Sequence, residues 1–407
     1  MRRVAITGIG VVSPIGASYE SFTRGLDEGR IGTVRAPWAD PVRGRHAWYA
    51  PVTGDFDAAA WLDERTIRGT VEFSQFALVA AEQAIRMSGL EPPPDTAVVM
   101  GTAMAGASAI AGAQSQLDAA GPEAVPRRLP IQVWANLAAG HIAMRHGLHG
   151  PSITICTACA AGTDAIGLGT QYIRSQLADV VVAGGTDHAL SEVLYQAAVN
   201  YGASQGIADR ELASAPFDIR RSGVLEGAGA TVLVLEDYDR ARKRGARVLG
   251  TIEGYAALAE AYHPSAPQPD GAWEAEVMRR ALADAGAAPA QVSGIVAHAT
   301  STPKGDAAEI AAINDVFGGR ESLHVTSVKG SVGHTAGASG PMGVAAALHA
   351  FDRGRLAHLP TTTQVEPDAR FHVVTDRPAE GDFEYIQVNS FGFGGQDSSL
   401  VLRREGR

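Results

Sequence analysis

The chain holds two cysteines, Cys156 and Cys159, in the run Cys156-Thr157-Ala158-Cys159. A C-x-x-C pair serves as a redox dithiol, as half of a zinc site, or as a nucleophile beside an incidental neighbour; two buried core thiols are the bland alternative. Structural zinc wants a second Cys pair, which the sequence lacks, and no Trp or Pro flanks the pair as in most redox motifs. What favours a nucleophile is position. Ser152 to Cys156 reads as a strand and Ala160 onward as a helix, so Cys159 falls at a helix N-terminus. There the free N–H groups and the helix dipole favour a thiolate. Three lysines stand against thirty-one arginines, and two of the three, Lys304 and Lys329, lie in Gly- and Ser-rich loops where a compact ammonium does what a guanidinium cannot. Lys329 leads into Gly330, Gly333 and His334. His298 ends the apolar run Ile295-Val296-Ala297 and opens a polar loop that runs through Lys304 to Asp306, a common place for functional side chains. A solvated loop lysine and a capping histidine fit the same spacing. Asn389 to Gly395 alternates aromatics with glycines, so it bends sharply and can offer N–H groups and an aromatic ring to a cavity, or serve only as a turn.

These residues need elements to carry them, and the sequence supplies the elements twice. Phe73, Phe76, Ala77, Ala80 and Ala84 recur at helical spacing, the pattern closes on Gly89, and Ala97-Val98-Val99-Met100 follows as a strand. Trp273 to Gly286 and then Gly294-Ile295-Val296-Ala297 repeat the order. Cys156 to Gly162 is echoed by His334 to Gly340, each opening a helix of small residues. Val180 to Ala183 and Val232 to Leu235 read as strands buried on both faces. Strands alternating with Ala-rich helices predict a layered α/β architecture. The helices Cys159 to Gln176 and Thr335 to Ala350, poor in bulky side chains, are expected between two sheets. The halves should meet near residue 250, with the chemistry at their junction.

Composition narrows the function. The chain has 407 residues, 45% of them hydrophobic, enough for two or three domains or one fused core. Its 34 basic and 44 acidic side chains leave a net charge of −10, which argues against a nucleic-acid footprint and requires a local basic patch for any acidic partner. So few cysteines make the cytosol the natural compartment. Val4-Ala5-Ile6 breaks at Gly8 and Gly10 and reads as a buried first strand, not a signal peptide. The uncharged run Thr96 to Leu117 is filled with Gly, Ala, Ser and Thr, so strand, loop and helix fit it better than a membrane span. No metal spacing such as H-E-x-x-H occurs, no metal is expected, and Gly8-Ile9-Gly10 falls short of a dinucleotide fingerprint.

Taken together, Thr157-Ala158-Cys159, His298-Ala299-Thr300-Ser301-Thr302-Pro303 with Gly305-Asp306, Lys329 with Gly333-His334, and Asn389 to Gly395 resemble the beta-ketoacyl carrier-protein synthases of the thiolase superfamily. Val4 to Pro14, Tyr262-His263 and Pro269-Asp270-Gly271 extend the likeness along the whole chain. It resembles the elongating, Cys-His-His class of synthase II and type II polyketide ketosynthases; the priming class has Asn in place of the second His. The resemblance implies a thiolase-like fold of two duplicated halves, 1–250 with the nucleophile and 251–407 with both histidines and the lysine, in α-β-α-β-α layers. It also implies that Cys159 accepts an acyl chain and that the N–H groups of Cys159 and Phe393 hold the oxyanion. His298 and His334 would stabilise the enolate formed from a malonyl thioester, Lys329 paired with Glu309 would fix the histidines, and Phe393, flanked by Gly392 and Gly394, would act as a gate.

No bound cofactor is implied, since the substrates ride on the phosphopantetheine of an acyl carrier protein. Arg127, Arg128, Arg220 and Arg221 are candidates for docking that carrier. The resemblance further implies a dimer, homomeric or with a chain-length-factor-like partner, and Leu148 to Cys156 supplies an apolar edge strand for it. Two departures stand out: Gly227-Ala228-Gly229-Ala230 lacks the carboxylate of the family's Gly-Glu-Gly-Ala, and Ala299 replaces the glycine after the first histidine. The same family includes noncatalytic chain-length-factor or scaffold subunits, in which the nucleophile is replaced; Cys159 speaks against that alternative.

Overall fold

Uncharged apolar runs become strands covered on both faces, because only there is their whole surface removed from water. In the computed structural model, which describes residues 2–40, 42, 46–52 and 54–406, ten strands of the central sheet carry the architecture, most of them built on such runs. They are β1 (Val4–Val12), β2 (Ala97–Gly101), β3 (Ser152–Ile155), β4 (Val180–His188), β5 (Ala228–Asp237), β6 (Gly250–Ala259), β7 (Val292–Val296), β8 (His324–Thr326), β9 (Tyr385–Gly392) and β10 (Gln396–Arg403). The first half runs β3-β2-β4-β5-β1 across its sheet and the second runs β8-β7-β9-β10-β6, the same order twice. In each, parallel strands flank the second position and two antiparallel pairings follow. β1 and β6 join the sheets through Val4↔Ile252, Ala5↔Thr251 and Ile6↔Gly250.

Five helices fill the layers: α1 (Glu72–Ser88), α2 (Ala161–Arg174), α3 (Ala272–Ala285), α4 (Pro303–Phe317) and α5 (Ser339–Arg353). The expected apolar face of α1, Phe73, Phe76, Ala77, Ala80 and Ala84, is buried, and Gly89 caps the helix at φ +62°. α1 covers the outer face of the first sheet. Gly8 and Gly10 make that contact possible, since a Cβ on either would lie 2.0 Å from a carbonyl oxygen of α1. α3 and α4 cover the outer face of the second sheet. Between the sheets lie α2 and α5, as their small residues predict, in one core with β1, β5, β9 and β10. Thirteen of the fifteen residues of α5 are buried. The helix–sheet–helix–sheet–helix order is the layered architecture expected. The run from Thr96 resolves into β2 and a helix Ala107–Ala120, and no helix among the described residues is long and apolar enough to cross a membrane.

β3 is an edge: β2 pairs with one side, and its other side and much of its surface are exposed. At the centre, the first turns of α2 and α5 nearly touch. A Cβ on Gly162 would stand 2.1 Å from the carbonyl oxygen of Gly337, and Thr163 Oγ1 meets Ser390 Oγ at 2.7 Å. Gly162→Ala should therefore cost about 3 kcal/mol or more, because backbone faces the new methyl. Gly140→Ala, inside helix Leu137–His146 with nothing within 4 Å, should instead stabilise by about 0.5–1 kcal/mol. Denaturant melts of the two variants check the contrast, which fails if both shift alike.

Candidate active site

After β3, Ala158–Ala160 forms a single tight turn and α2 starts at Ala161, so Cys159 sits at a helix start as its position predicts. Ala158 has φ +49°, a left-handed conformation that costs a non-glycine residue about 1 kcal/mol. The second half repeats the device: Ala336 has φ +47°, a tight turn spans Ala336–Ala338, and α5 starts at Ser339. In this register Gly337 matches Cys159 and His334 matches Cys156. The two turns face each other, and His334 Nε2 comes 3.0 Å from Cys159 Sγ. Cys156 remains exposed and both thiols are free.

Partners on the far side of each ring settle which nitrogen carries the proton. His334 Nδ1 accepts the N–H of Ala336 at 3.1 Å and lies 2.9 Å from Ser339 Oγ, leaving its proton on Nε2. His298 Nδ1 faces Lys329 Nζ at 3.4 Å; an ammonium only donates, so this proton too belongs on Nε2. Lys329 also donates to the carbonyl oxygen of His298. The rings stand edge to face with centroids 5.4 Å apart, and Phe391 packs on His298 at 5.7 Å. Glu309 on α4 accepts the N–H groups of His298 at 2.9 Å and Ala299 at 2.7 Å. This carboxylate, with Asp306 on the N–H of Ser301 at 3.0 Å, holds a loop in which Ala299 (φ +26°) and Ser301 (φ +68°) adopt glycine-like angles. Lys329 and Glu309 form no contact ion pair, contrary to expectation. The ammonium turns to His298 and the carboxylate oxygens to peptide N–H groups, so the two interact through the field only.

Burial sets the protonation states. It holds His298 and His334 well below the usual imidazole value of 6.5, and the charge of Lys329 adds to the effect, so both rings are neutral donors at neutral pH. Burial lowers Lys329 to about 8 against the opposing pull of Glu309, Cys159 and Asp306. It pushes the Cys159 thiol above its usual 9.0; Lys329 and the N–H of Phe393 work the other way without prevailing. The thiolate expected from the helix start is therefore not the resting form. Phe393, 54% exposed, tips the turn between β9 and β10, with its N–H toward the sulfur. A Cβ on Gly392 would lie 3.3 Å from the nitrogen of Cys159, and Gly394, at φ +89°, donates to the carbonyl of Pro264.

Cys159, His298 and His334 bring ligand atoms within 4.8 Å of one another, close enough to hold a metal ion. Their chemistry points elsewhere. A ligand needs a free lone pair, whereas both Nε2 atoms carry protons, and Lys329 would repel a cation. What converges is a sulfur nucleophile, two imidazole donors and two backbone donors, in the wall of a cavity of about 1040 Å³.

The beta-ketoacyl synthase N-terminal domain matches residues 1–241 and the C-terminal domain matches residues 249–363. The chain belongs to the beta-ketoacyl synthase family. It is 33% identical to 3-oxoacyl-[acyl-carrier-protein] synthase 2 of Vibrio harveyi and 35% identical to the protein of that name from Coxiella burnetii, in each case over 99% of both chains. Among solved structures, the ishigamide ketosynthase/chain length factor is 33% identical with a TM-score of 0.92, covering all of both chains. A beta-ketoacyl synthase from Burkholderia phymatum is 30% identical with a TM-score of 0.91, again covering all of both chains. A ketosynthase solved in complex with its type II polyketide synthase acyl-carrier protein is 26% identical with a TM-score of 0.91, over 99% of this chain and all of that one.

As a beta-ketoacyl synthase the chain carries further carboxylates at this site. Glu226 stands two residues ahead of Ala228, and Leu225 before it is buried against Ala50 and Ala213. Glu226 lies beside His334 through the bonds His334 N–H to Leu225 O and Gly227 N–H to His334 O. Its side chain lines the cavity, Oε2 has no partner, and burial pushes it up to about 7. Sequence reasoning also missed Asp187 at the end of β4. This buried carboxylate accepts from Thr102 Oγ1 and from the N–H groups of Ala103, Met104, Ala105 and Gly337, tying the loop after β2 to the tight turn opposite Cys159. A carboxylate closing an otherwise uncharged strand was the available signal.

The four arginines separate. Arg127 and Arg128 are exposed. Arg220 is partly engaged, forked onto Asp218 at 2.9 and 3.0 Å. Arg221 is not a docking residue: its side chain is 7% exposed, pairs with Glu366 at 2.6 Å and faces Asp306 at 3.8 Å. A buried guanidinium between Glu366 and buried Asp306 serves the fold.

The protonation states give a test in a Cys156→Ala background. Alkylation of Cys159 by iodoacetamide should accelerate with pH through 9.0 and beyond, because its thiol titrates above that value. Lys329→Met, which removes the charge favouring the thiolate, should move the rise to still higher pH. A plateau below pH 9 would show a resting thiolate.

Proposed function

We propose that this chain catalyses decarboxylative condensation of an acyl chain with a malonyl group, both delivered as thioesters of an acyl carrier protein in the cytoplasm, to give a 3-oxoacyl carrier. The observation that carries the reading is the convergence at Cys159: two Nε2–H donors, one 3.0 Å from Sγ, opposite the N–H groups of Cys159 and Phe393. In the first half-reaction the sulfur attacks the acyl thioester, a new S–C bond forms, and the carrier thiol leaves with the thiol proton. The backbone N–H pair is aimed where the oxyanion develops.

In the second half-reaction the malonyl C–C bond to the carboxylate breaks and CO₂ leaves. The electron pair passes into an enolate whose oxygen takes both imidazole N–H bonds. Neutral donors suit this step, since no proton need be lost before the carbanion attacks acyl-Cys159, forms the new C–C bond and expels the sulfur. Lys329, Glu309 and Ser339 are positioning residues, fixing tautomer and ring orientation. Phe393 and its flanking glycines form the gate over the sulfur. The free edge of β3 supports a dimer built by pairing it with a second copy or a similar subunit.

Cys159→Ala should abolish the mass gain on incubation with an acyl carrier thioester, while Cys156→Ala keeps most of it. His298→Ala and His334→Ala should each lower condensation by about 10²–10³-fold yet still permit acylation, as loss of an oxyanion donor does. A parent protein that never gains an acyl group is a noncatalytic subunit instead. Charge reversal at Arg127 and Arg128 should raise KM for carrier-bound substrate and spare an acyl-pantetheine analogue, with added salt mimicking the change. Arg221→Met should instead lower stability by about 1–3 kcal/mol, because it removes the buried guanidinium that pairs with Glu366 and faces Asp306. Equal effects of the reversal on both substrates would place docking elsewhere.

A further inference from the structure

The turn that carries Phe393 rests on the segment 260–268, and the contact includes two carboxyl groups. Gly394 N–H donates to Pro264 O at 2.8 Å, and Glu260 N–H donates to Gly395 O at 2.8 Å. Gln268 N–H donates to Glu260 Oε2 at 3.0 Å. The Glu260 carboxyl then meets that of Asp397, the second residue of β10, at hydrogen-bond range. A hydrogen bond between two carboxyl groups requires one proton between them. Asp397 is 2% exposed and Glu260 4% exposed, and no donor group among the described residues reaches Asp397 Oδ2.

The groups around the pair are acids. Asp164 of α2 and Glu309 of α4 act on Asp397, and Asp270 before α3 acts on Glu260. Glu274 of α3, 1% exposed with Oε2 unpartnered, feels Asp397, Glu260, Glu309 and Asp306. The nearby cation Lys329 is engaged with His298 and acts on Glu309, Cys159 and Asp306. Among the described residues no base is set against the pair to neutralise a second negative charge.

We propose that Glu260 and Asp397 share a single proton that latches the Phe393 turn onto the segment 260–268, and that losing it frees the turn. As a control on the gate, this rests on the condensing-enzyme reading above. Burial first, then the Glu260 carboxyl and the charges of Glu309 and Asp164, push Asp397 up to about 8. The raised value sets the sign. The latch is tightest where free carboxyl groups are also protonated, weakens as pH rises toward about 8 because only the latched pair keeps the proton, and is fully lost above about 8, where two facing carboxylates repel.

Hydrogen exchange on the full-length protein reads the latch without relying on catalysis. Protection of the peptide 392–397, corrected for intrinsic exchange, should step down by up to about tenfold per pH unit, the limit for one proton, as pH rises from the ordinary carboxyl range toward about 8, and level off above it. A peptide from α1 should keep its protection. Asp397→Asn and Glu260→Gln each replace the shared proton with an amide N–H that does not titrate, so each should give a profile without the step. A parental profile that stays flat, or a step that survives in either amide variant, overturns the proposal. Acylation of Cys159, followed in the same samples by mass, separates the two readings. A step in a protein that never acylates sinks the condensing enzyme and leaves the latch; a flat profile in one that does acylate sinks the latch alone.

Discussion

Two helices poor in bulky side chains cross between two sheets, and the closeness of their first turns governs the site. Gly162 lies against the carbonyl of Gly337, where even a methyl would collide. That approach brings the tight turn before α2 to the tight turn before α5, each with an alanine near φ +50°. Cys159 and His334 meet at 3.0 Å because they occupy different positions in two copies of one device. The duplication thus does more than fill a core: each half supplies part of a catalytic set that neither holds alone. Asp187 reinforces the junction by binding N–H groups from the loop after β2 and from Gly337 together.

Closing helices and sheets around the site removes water, and desolvation then ranks the ionisation states. Imidazoles are driven neutral, the thiol is driven toward its protonated form, and the lysine is lowered only to about 8. A thiolate generated beside neutral donors and one ammonium is reactive because its surroundings are fixed and dry, not because it is the resting form. The same desolvation acts on the acidic side chains around the Phe393 turn, where no cation offsets it, and makes protons part of that structure. The positive and negative sides of the cavity wall follow from one cause.

The nucleophile, both histidines, Lys329, Glu309 and the Phe393 turn were legible as positions, and so were the layers. The buried face of α1, the strands β4 and β5 and the two central helices came from periodicity and small-residue content, which are carried by neighbours along the chain. The repeat of Cys156 to Gly162 in His334 to Gly340 marked the two turns before their contact was known. Glu226 was overlooked because its place beside His334 joins segments far apart in the chain. Arg221 was misread because nothing local distinguishes a loop arginine that reaches inward from one that reaches out.

By itself the sequence determined the alternation of strands and helices, the duplication, and which residues stand at strand ends and helix starts, since these depend on spacing within short windows. Tertiary structure alone decided the tautomers of His298 and His334, the absence of a Lys329–Glu309 contact, the burial of Arg221 and the pairing of Glu260 with Asp397. Each depends on groups far apart in the chain and on the loss of water between them, which no local pattern records.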